Sequence, residues 1–306
     1  MEIYYQGTDI TDSVQVKSCT VRDNGSGRCD SLLLQFDNAA SWHIWAPEED
    51  DQIVVAHNGY ESGVMYVNRI LPENDTYTLL ATSLPCKARA KGYTSFSGKT
   101  IEEIMRQCAM KSSMDFAIYG IDPKTVIPYV ERSNEGYAAF LSRLLMLEGA
   151  ILKCVNGKYT AIGIQYAQEM DAAQSLQLKA IQDGVSYTSS GTTYKGAKVC
   201  TPYASATAED TAVPESHSWY NIGGELPARN NIQAARWARG KLLALNRACE
   251  QVTIQTEFNP GLTALSRIDI ESSAVTSGQW LIEDVEHDFV NLQTTATLRR
   301  CIWSSR

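Results

Sequence analysis

Several groups of side chains in this chain have types and spacings that chemistry could use. Glu283-Asp284-Val285-Glu286-His287-Asp288 sets paired carboxylates beside an imidazole, the material of general acid-base work or of a metal site. A hydrolase is the enzyme such a cluster would suit. Yet apolar residues run through it at strand spacing, with Leu281 and Val285 expected on one face and Trp280 and Ile282 on the other. The cluster therefore reads as a polar strand end at a subunit contact. Gly92-Tyr93-Thr94-Ser95-Phe96-Ser97-Gly98-Lys99-Thr100, at the start of a helix, looks like a phosphate-binding loop. That loop needs four residues between its first Gly and the Gly-Lys pair so that backbone N–H groups converge on phosphate. Here five intervene, and Cys86-Lys87-Ala88-Arg89-Ala90-Lys91 ahead of it is no buried apolar strand, so nucleotide binding is not expected.

Arg236, Arg239 and Arg247 fall within about 80° of one another on a helical wheel. Nucleic-acid binding would want more cations or aromatics beside them; Trp237 is close by, but Glu250 and the overall acidity weigh against it, so a salt-bridged outer face or a contact with an acidic neighbour is preferred. Glu48-Glu49-Asp50-Asp51 lacks the spaced oxygen ligands and glycine turn of a calcium loop and reads as a solvated loop. His43, His57, His217 and His287 are far apart, and the eight cysteines show no close pair of the kind that zinc or a redox dithiol uses. Reduced thiols in a protein made in the cytoplasm are the expectation. No His-Glu-x-x-His, Gly-x-Ser-x-Gly or Gly-x-Gly-x-x-Gly is present, and no catalytic, cofactor-binding or metal residue is assigned.

The elements that must position these groups are mostly strands. Ile53, Val55, Gly63, Met65, Val67 and Ile70 recur, at a constant offset of 215, as Ile268, Ile270, Gly278, Trp280, Ile282 and Val285. Each unit closes on a threonine-rich alternating run, Thr76 to Leu80 and Thr294 to Leu298, after a loop that is longer in the second copy. Alternation around a fixed glycine is the pattern of a half-buried antiparallel meander, and its recurrence suggests a duplicated β-module, the alternative being that any two β-meanders look alike. Two copies of one module point to an assembly part rather than a catalyst.

The remaining bounds agree. The 306 residues allow two or three domains, and 44% hydrophobic with 20% charged residues is ordinary globular composition. A net charge of −8 argues against nucleic acid as main partner. Met1 to Gln6 has no leader pattern, and Ala138 to Val155 is interrupted by Arg143, Glu148 and Lys153, so neither general secretion nor membrane insertion is expected. Residues 1–85 read as a first β-module. Residues 86–165 read as an α+β insert, with a capping box at Thr100-Ile101-Glu102-Glu103. A helix follows Ser133 with Tyr137, Phe140, Leu141, Leu144 and Leu145 on one face, and a hairpin turns at Asn156-Gly157. Residues 166–306 read as the second module, with strands at Val185 to Thr188 and Ala197 to Thr201, a loop over 202–227, and one long helix from Asn231 to Cys249. The predicted class is mainly β with an α+β insert.

These residues also resemble a known family. Tyr4 to Asp12, Asp30-Ser31-Leu32 with Phe36, Trp42, Trp45-Ala46-Pro47, Asp51-Gln52-Ile53 and Ser62 to Val67 are similar to the amino-terminal part of tail hub proteins of the late control D type. Thr100 to Ile104, Asn134-Glu135 through Leu144 with Glu148-Gly149-Ala150, and Gly278 through His287 to Leu298 look like the family's later segments, while 166 to 230 matches least. The resemblance implies two tail-tube-like β-barrel modules per chain and a homotrimeric baseplate hub of a contractile phage tail or phage-tail-like injection particle. Six barrels would form a ring that joins a six-fold tube to a three-fold spike. The implied partners are the central spike protein, the tail tube protein, and other baseplate and tape measure proteins. The implied location is the virion or tail particle, assembled in the bacterial cytoplasm. Some such hubs carry cell-wall-degrading domains, and none is expected beyond Arg306. The alternatives are the tip protein of a non-contractile tail or the hydrolase using Glu283 to Asp288.

Overall fold

The period-two runs around Gly63 and Gly278 fold as two antiparallel meanders, and the computed structural model joins them in one sheet of 14 strands. The structure describes residues 1–37, 39–73, 75–178, 184–190, 193–222 and 228–301, with the backbone alone for 39–41. The first meander comprises β1 (Glu2–Tyr5), β2 (Thr8–Asp9), β3 (Val16–Asn24), β4 (Ser31–Phe36), a short helix α1 (Ala39–Trp45), β5 (Gln52–His57), β6 (Tyr60–Glu61), β7 (Met65–Pro72) and β8 (Tyr77–Thr82). Its order in the sheet is β3-β4-β8-β7-β5-β1-β2. Alternate residues Leu32, Leu34, Ile53, Val55, Met65, Val67, Leu79 and Ala81 are buried in one core, with Trp42 packed against Phe36 at 4.4 Å. Each of these buried Leu, Ile, Val and Met side chains stabilises by about 1.5–3 kcal/mol before entropy is counted.

The insert begins with α2 (Cys86–Arg89) and β9 (Gly92–Thr100), then α3 (Ile101–Ser112), β10 (Asp115–Tyr119), β11 (Val126–Glu135), α4 (Tyr137–Leu147), β12 (Ala150–Val155), β13 (Lys158–Gly163) and α5 (Ile164–Glu169). The capping box forms as read, with Thr100 and Glu103 satisfying each other's backbone N–H groups. Asn156 and Gly157 both take positive φ, 53° and 67°, which gives the tight primed turn between β12 and β13. The segment resembling a phosphate loop is strand β9, paired along its length with β11.

The remainder holds β14 (Gln174–Gln177), β15 (Val185–Ser189), β16 (Gly196–Cys200), β17 (Ser205–Glu209), β18 (Trp219–Ile222), α6 (Asn231–Asn246), β19 (Glu250–Glu257), β20 (Arg267–Glu271), β21 (Gly278–Asp288) and β22 (Gln293–Arg300). The span 202–227, read as loop, contains two strands, β17 and β18, on either side of β16; residues 223–227 lie outside the described ones. The run Ser205-Ala206-Thr207-Ala208-Glu209 alternates, but with alanines too small to register as a buried strand until α6 covers them. Trp237, Ala234 and Leu242 of α6 share a core with α3, α4 and β16, so the long helix packs on the insert. The second meander runs β15-β19-β22-β21, with β20 and β14 beyond β21.

The duplication holds at the level of hydrogen-bond register. Ile53 faces Met65 and Gln52 faces Tyr66, as Ile268 faces Trp280 and Arg267 faces Leu281. The register between β7 and β8 shifts at Val67/Arg69, and that between β21 and β22 at Ile282/Asp284, again 215 residues on. Beyond the shift Ile70 faces Leu79 and Val285 faces Ala296, the closing strand now offset by 217. The second bulge also corrects the face assignment. Without it Val285 would share a face with Leu281, but the extra residue puts Val285 in the core with Trp280 and Ile282, while Leu281 packs elsewhere.

Candidate assembly site at the junction of the two meanders

Strand β21 is eleven residues long because it serves two neighbours. Its first half pairs with β20, and past the bulge its second half pairs with β3, Asp284 facing Asn24 and Asp288 facing Thr20. The acidic cluster predicted to lie at a subunit contact therefore forms the seam between the two meanders of a single chain. Glu283 is the bulge residue, and its carboxylate accepts from Arg299 Nε at 2.6 Å and pairs with Arg247 at 3.3 Å. Its carbonyl accepts the Gly25 N–H at 2.6 Å, and a Cβ on Gly25 would stand only 2.6 Å from that oxygen, so only glycine fits. Burial, with Glu283 next in effect, raises the Asp284 carboxyl above the usual range. Glu286 pairs with Arg22 across the strands at 2.7 Å, in the open. Asp288 accepts from the backbone N–H groups of Val290 and Asn291 and closes the turn. These carboxylates hold cations and backbone, an arrangement suited to fixing two modules together.

A second ionic group stands behind the seam. Lys153, in the middle of β12 and 7% exposed, donates to Asp23 and Asp30 and, at 3.1 Å, to the Asn24 carbonyl. Asp23 in turn accepts the Ala264 N–H at 2.8 Å from the second meander's loop. Burial pushes Asp30 up to about 7 against the pull of Lys153. One lysine thus ties the insert to both meanders. In the sequence it counted only as an interruption of an apolar run; the signal was the run itself, since a lysine amid Ile151, Leu152 and Cys154 needs buried carboxylates.

The histidines are less scattered than their numbers suggest. Tyr60 packs against His287 with the rings tilted by 52° and their centroids 4.3 Å apart, and the Phe258 ring centroid lies 5.1 Å from that of His57 and 5.4 Å from that of His287. His287 is fully buried with Nδ1 3.0 Å from Thr294 Oγ1, and burial lowers its pKa. Aromatic rings surround the pair, and among the described residues no group of three His, Cys, Asp or Glu side chains is placed to hold a metal. The three arginines of α6 and its cap are not brought together. Arg236 pairs with the buried Glu148 at 2.8 Å, and Arg247 turns inward to Glu283. The acidic loop Glu48 to Asp51 is occupied as a local scaffold: Asp50 accepts the Cys86 N–H at 2.7 Å, and Arg89 pairs with Glu49 at 3.0 Å.

No family model and no curated protein matches this sequence. Solved structures do match its fold. A 43 kDa tail protein of prophage MuSo2 from Shewanella oneidensis superposes with a TM-score of 0.73 at 12% identity, over 98% of this chain and 97% of that one. The tail protein from Neisseria meningitidis MC58 gives 0.75 at 9% identity, over 98% and 95%. The E. coli c3393 protein, a type VI secretion component described as structurally similar to T4 tail proteins gp27 and gp5, gives 0.59 at 13% identity, over 94% and 74%. The chain is mainly β and shares its fold, over nearly its whole length, with phage tail proteins and with a type VI secretion component.

Proposed function

We propose that this protein is a structural component of a phage tail or phage-tail-like injection particle, and within it the baseplate hub of late control D type. In this reading three copies form a ring that adapts a six-fold tail tube to a three-fold spike. The observation that carries it is the repeated meander, matched in pairing register and in the position of its bulge, with the second copy continued in one sheet by the first. Three chains then supply six near-equivalent modules, and a surface of that kind can meet a six-fold neighbour on one side and a three-fold one on the other. The meanders within 1–85 and 166–306 are the ring modules, and the insert with the Trp237 core hangs from them. Spike, tube, other baseplate and tape measure proteins are the partners this geometry would serve. A non-enzymatic role is supported by the Glu283 to Asp288 carboxylates, which are engaged in ion pairs, pairing and a turn.

The test is a mass measurement and electron-microscope images of the purified protein, together with its assay in purified tail particles. A three-fold ring with six similar lobes is expected. A monomer at high concentration that is also absent from particles overturns the proposal.

A further inference from the structure

The seam between β21 and β3 has an unfilled counterpart. By the repeat, β7 is to the first meander what β21 is to the second. Past its bulge, Arg69 to Pro72 have a strand on the β8 side but none on the other, among the described residues. At the far end of the sheet, β15 stands to β19 as β3 stands to β4. Cys19 faces Leu34, which faces Leu79; Val185 faces Ile254, which faces Ala296. The outer side of β15 is likewise an open edge among the described residues. An exposed edge of this sort is a template for another strand.

We propose that the open edge of β7 in one copy pairs with the open edge of β15 in a second copy of this chain, reproducing between chains the seam that β21 and β3 make within one. The inference rests on the ring reading above and assigns its contact. Register follows from the internal copy. Glu286 faces Arg22, Val285 faces Asp23 and His287 faces Val21, so Leu71 meets Thr188, Ile70 meets Ser189 and Pro72 meets Tyr187.

The backbone directions agree. Glu73 donates its N–H to the Thr76 carbonyl at 2.8 Å, toward β8, and alternation then turns outward the N–H and carbonyl of Ile70 and the carbonyl of Pro72. Gln255 donates to the Gly184 carbonyl at 2.7 Å, so Val185, Tyr187 and Ser189 turn theirs away from β19. Within the seam, Phe289 donates to the Cys19 carbonyl at 3.0 Å, which gives β3 the same parity toward β21. In the sequence the residue 166 positions after Gly25 is also a glycine, Gly191, which lies outside the described residues.

The side chains replace charge by apolar contact: Leu71, 38% exposed, stands where Glu286 stands, and Thr188 where Arg22 stands. Pro72 has no N–H, so its pair with Tyr187 keeps only the Pro72 carbonyl as acceptor and the ladder between chains is short. Because the two edges belong to different modules, the contact is head to tail, and such a contact builds a ring when its rotation closes, here after three copies.

Cysteine pairs test the register in a background with the exposed Cys86 and Cys200 replaced by serine. Arg22→Cys with Glu286→Cys should oxidise within one chain and serves as the positive control. Leu71→Cys with Thr188→Cys should cross-link different chains, ending at trimers, about tenfold or more faster than the register-shifted pair Leu71→Cys with Ser186→Cys. Trimers by mass with no preference between the two pairs would overturn the contact and leave the hub reading standing. Monomers with no cross-link would overturn both.

Discussion

Asn68 and Glu283 are one position of a repeated unit: each is the extra residue at a bulge, 215 residues apart, where the pairing with the closing strand slips by one. The backbone has been kept and the side chain has diverged. Asn68 presents an amide whose Oδ1 is buried without a partner, while Glu283 gathers Arg247 and Arg299. Glu283→Gln should therefore act through its partner, leaving Arg247, whose side chain is 7% exposed, without its counter-charge. A loss of about 3–5 kcal/mol in urea unfolding is expected, and Arg247→Met with Glu283→Leu should lose less than the single change. Equal losses would mean that the pair is not held as a buried charge.

Gly25→Ala should damage the same seam by sterics alone. The new methyl would meet the Glu283 carbonyl and the Leu265 side chain, and the backbone contact cannot rotate away. About 2–4 kcal/mol of stability is the expected cost, read by denaturant unfolding, whereas Gly59→Ala, with open space around it but a left-handed φ of 85°, should cost only about 1 kcal/mol.

Much of the fold was legible because it is local or repeated. Period-two runs, the Thr100 capping box and the Asn156-Gly157 turn each specify their own geometry within a few residues. The bulges were not, because a one-residue slip leaves the composition of a strand unchanged while moving Val285 to the other face. Nor was the seam: nothing near Glu283 in the chain announces Arg22, Gly25 or Asp23 across some 260 residues. The α6 arginines read as an outer face because a wheel shows spacing but not which neighbours cover the helix, and Arg247 proves to be inside. Strand β17 was missed because its inward residues are alanines, which signal burial only after α6 packs over them.

Lys153→Met should be among the most damaging changes in the insert, since it strands Asp23 and Asp30 without their cation. The expected loss is about 3–5 kcal/mol near neutral pH. It should also depend on pH. A buried carboxyl whose folded pKa lies above its unfolded value of about 3.9 holds its proton more tightly when folded, so its contribution falls as pH rises toward the folded pKa. Asp30 is already at about 7 with the lysine present, and without it the value goes higher. The variant should therefore lose more stability at pH 8 than at pH 5, and an equal loss at both would place the charge elsewhere.

His287 gives the opposite slope. Its ring is fully buried between Tyr60 and Phe258, and burial holds its pKa below 6.5. Above pH 6.5 the ring is neutral in both folded and unfolded chains, and its contribution is fully present. As pH falls below that value the unfolded chain takes up a proton that the folded one refuses, and stability declines by up to about 1.4 kcal/mol per pH unit until the folded pKa is reached. His287→Gln removes this proton, so the difference in unfolding free energy between variant and parent should shrink as pH is lowered from 7.5 to 5.5. A constant difference would mean that the ring titrates alike in both states. Because the same ring lies on the seam, its protonation would also strain the contact between the two meanders, and acid should loosen the junction before it unfolds the insert. Hydrogen exchange at the amides of β3 and β21, compared with those of α3 and α4 at pH 5.5, reads that order directly.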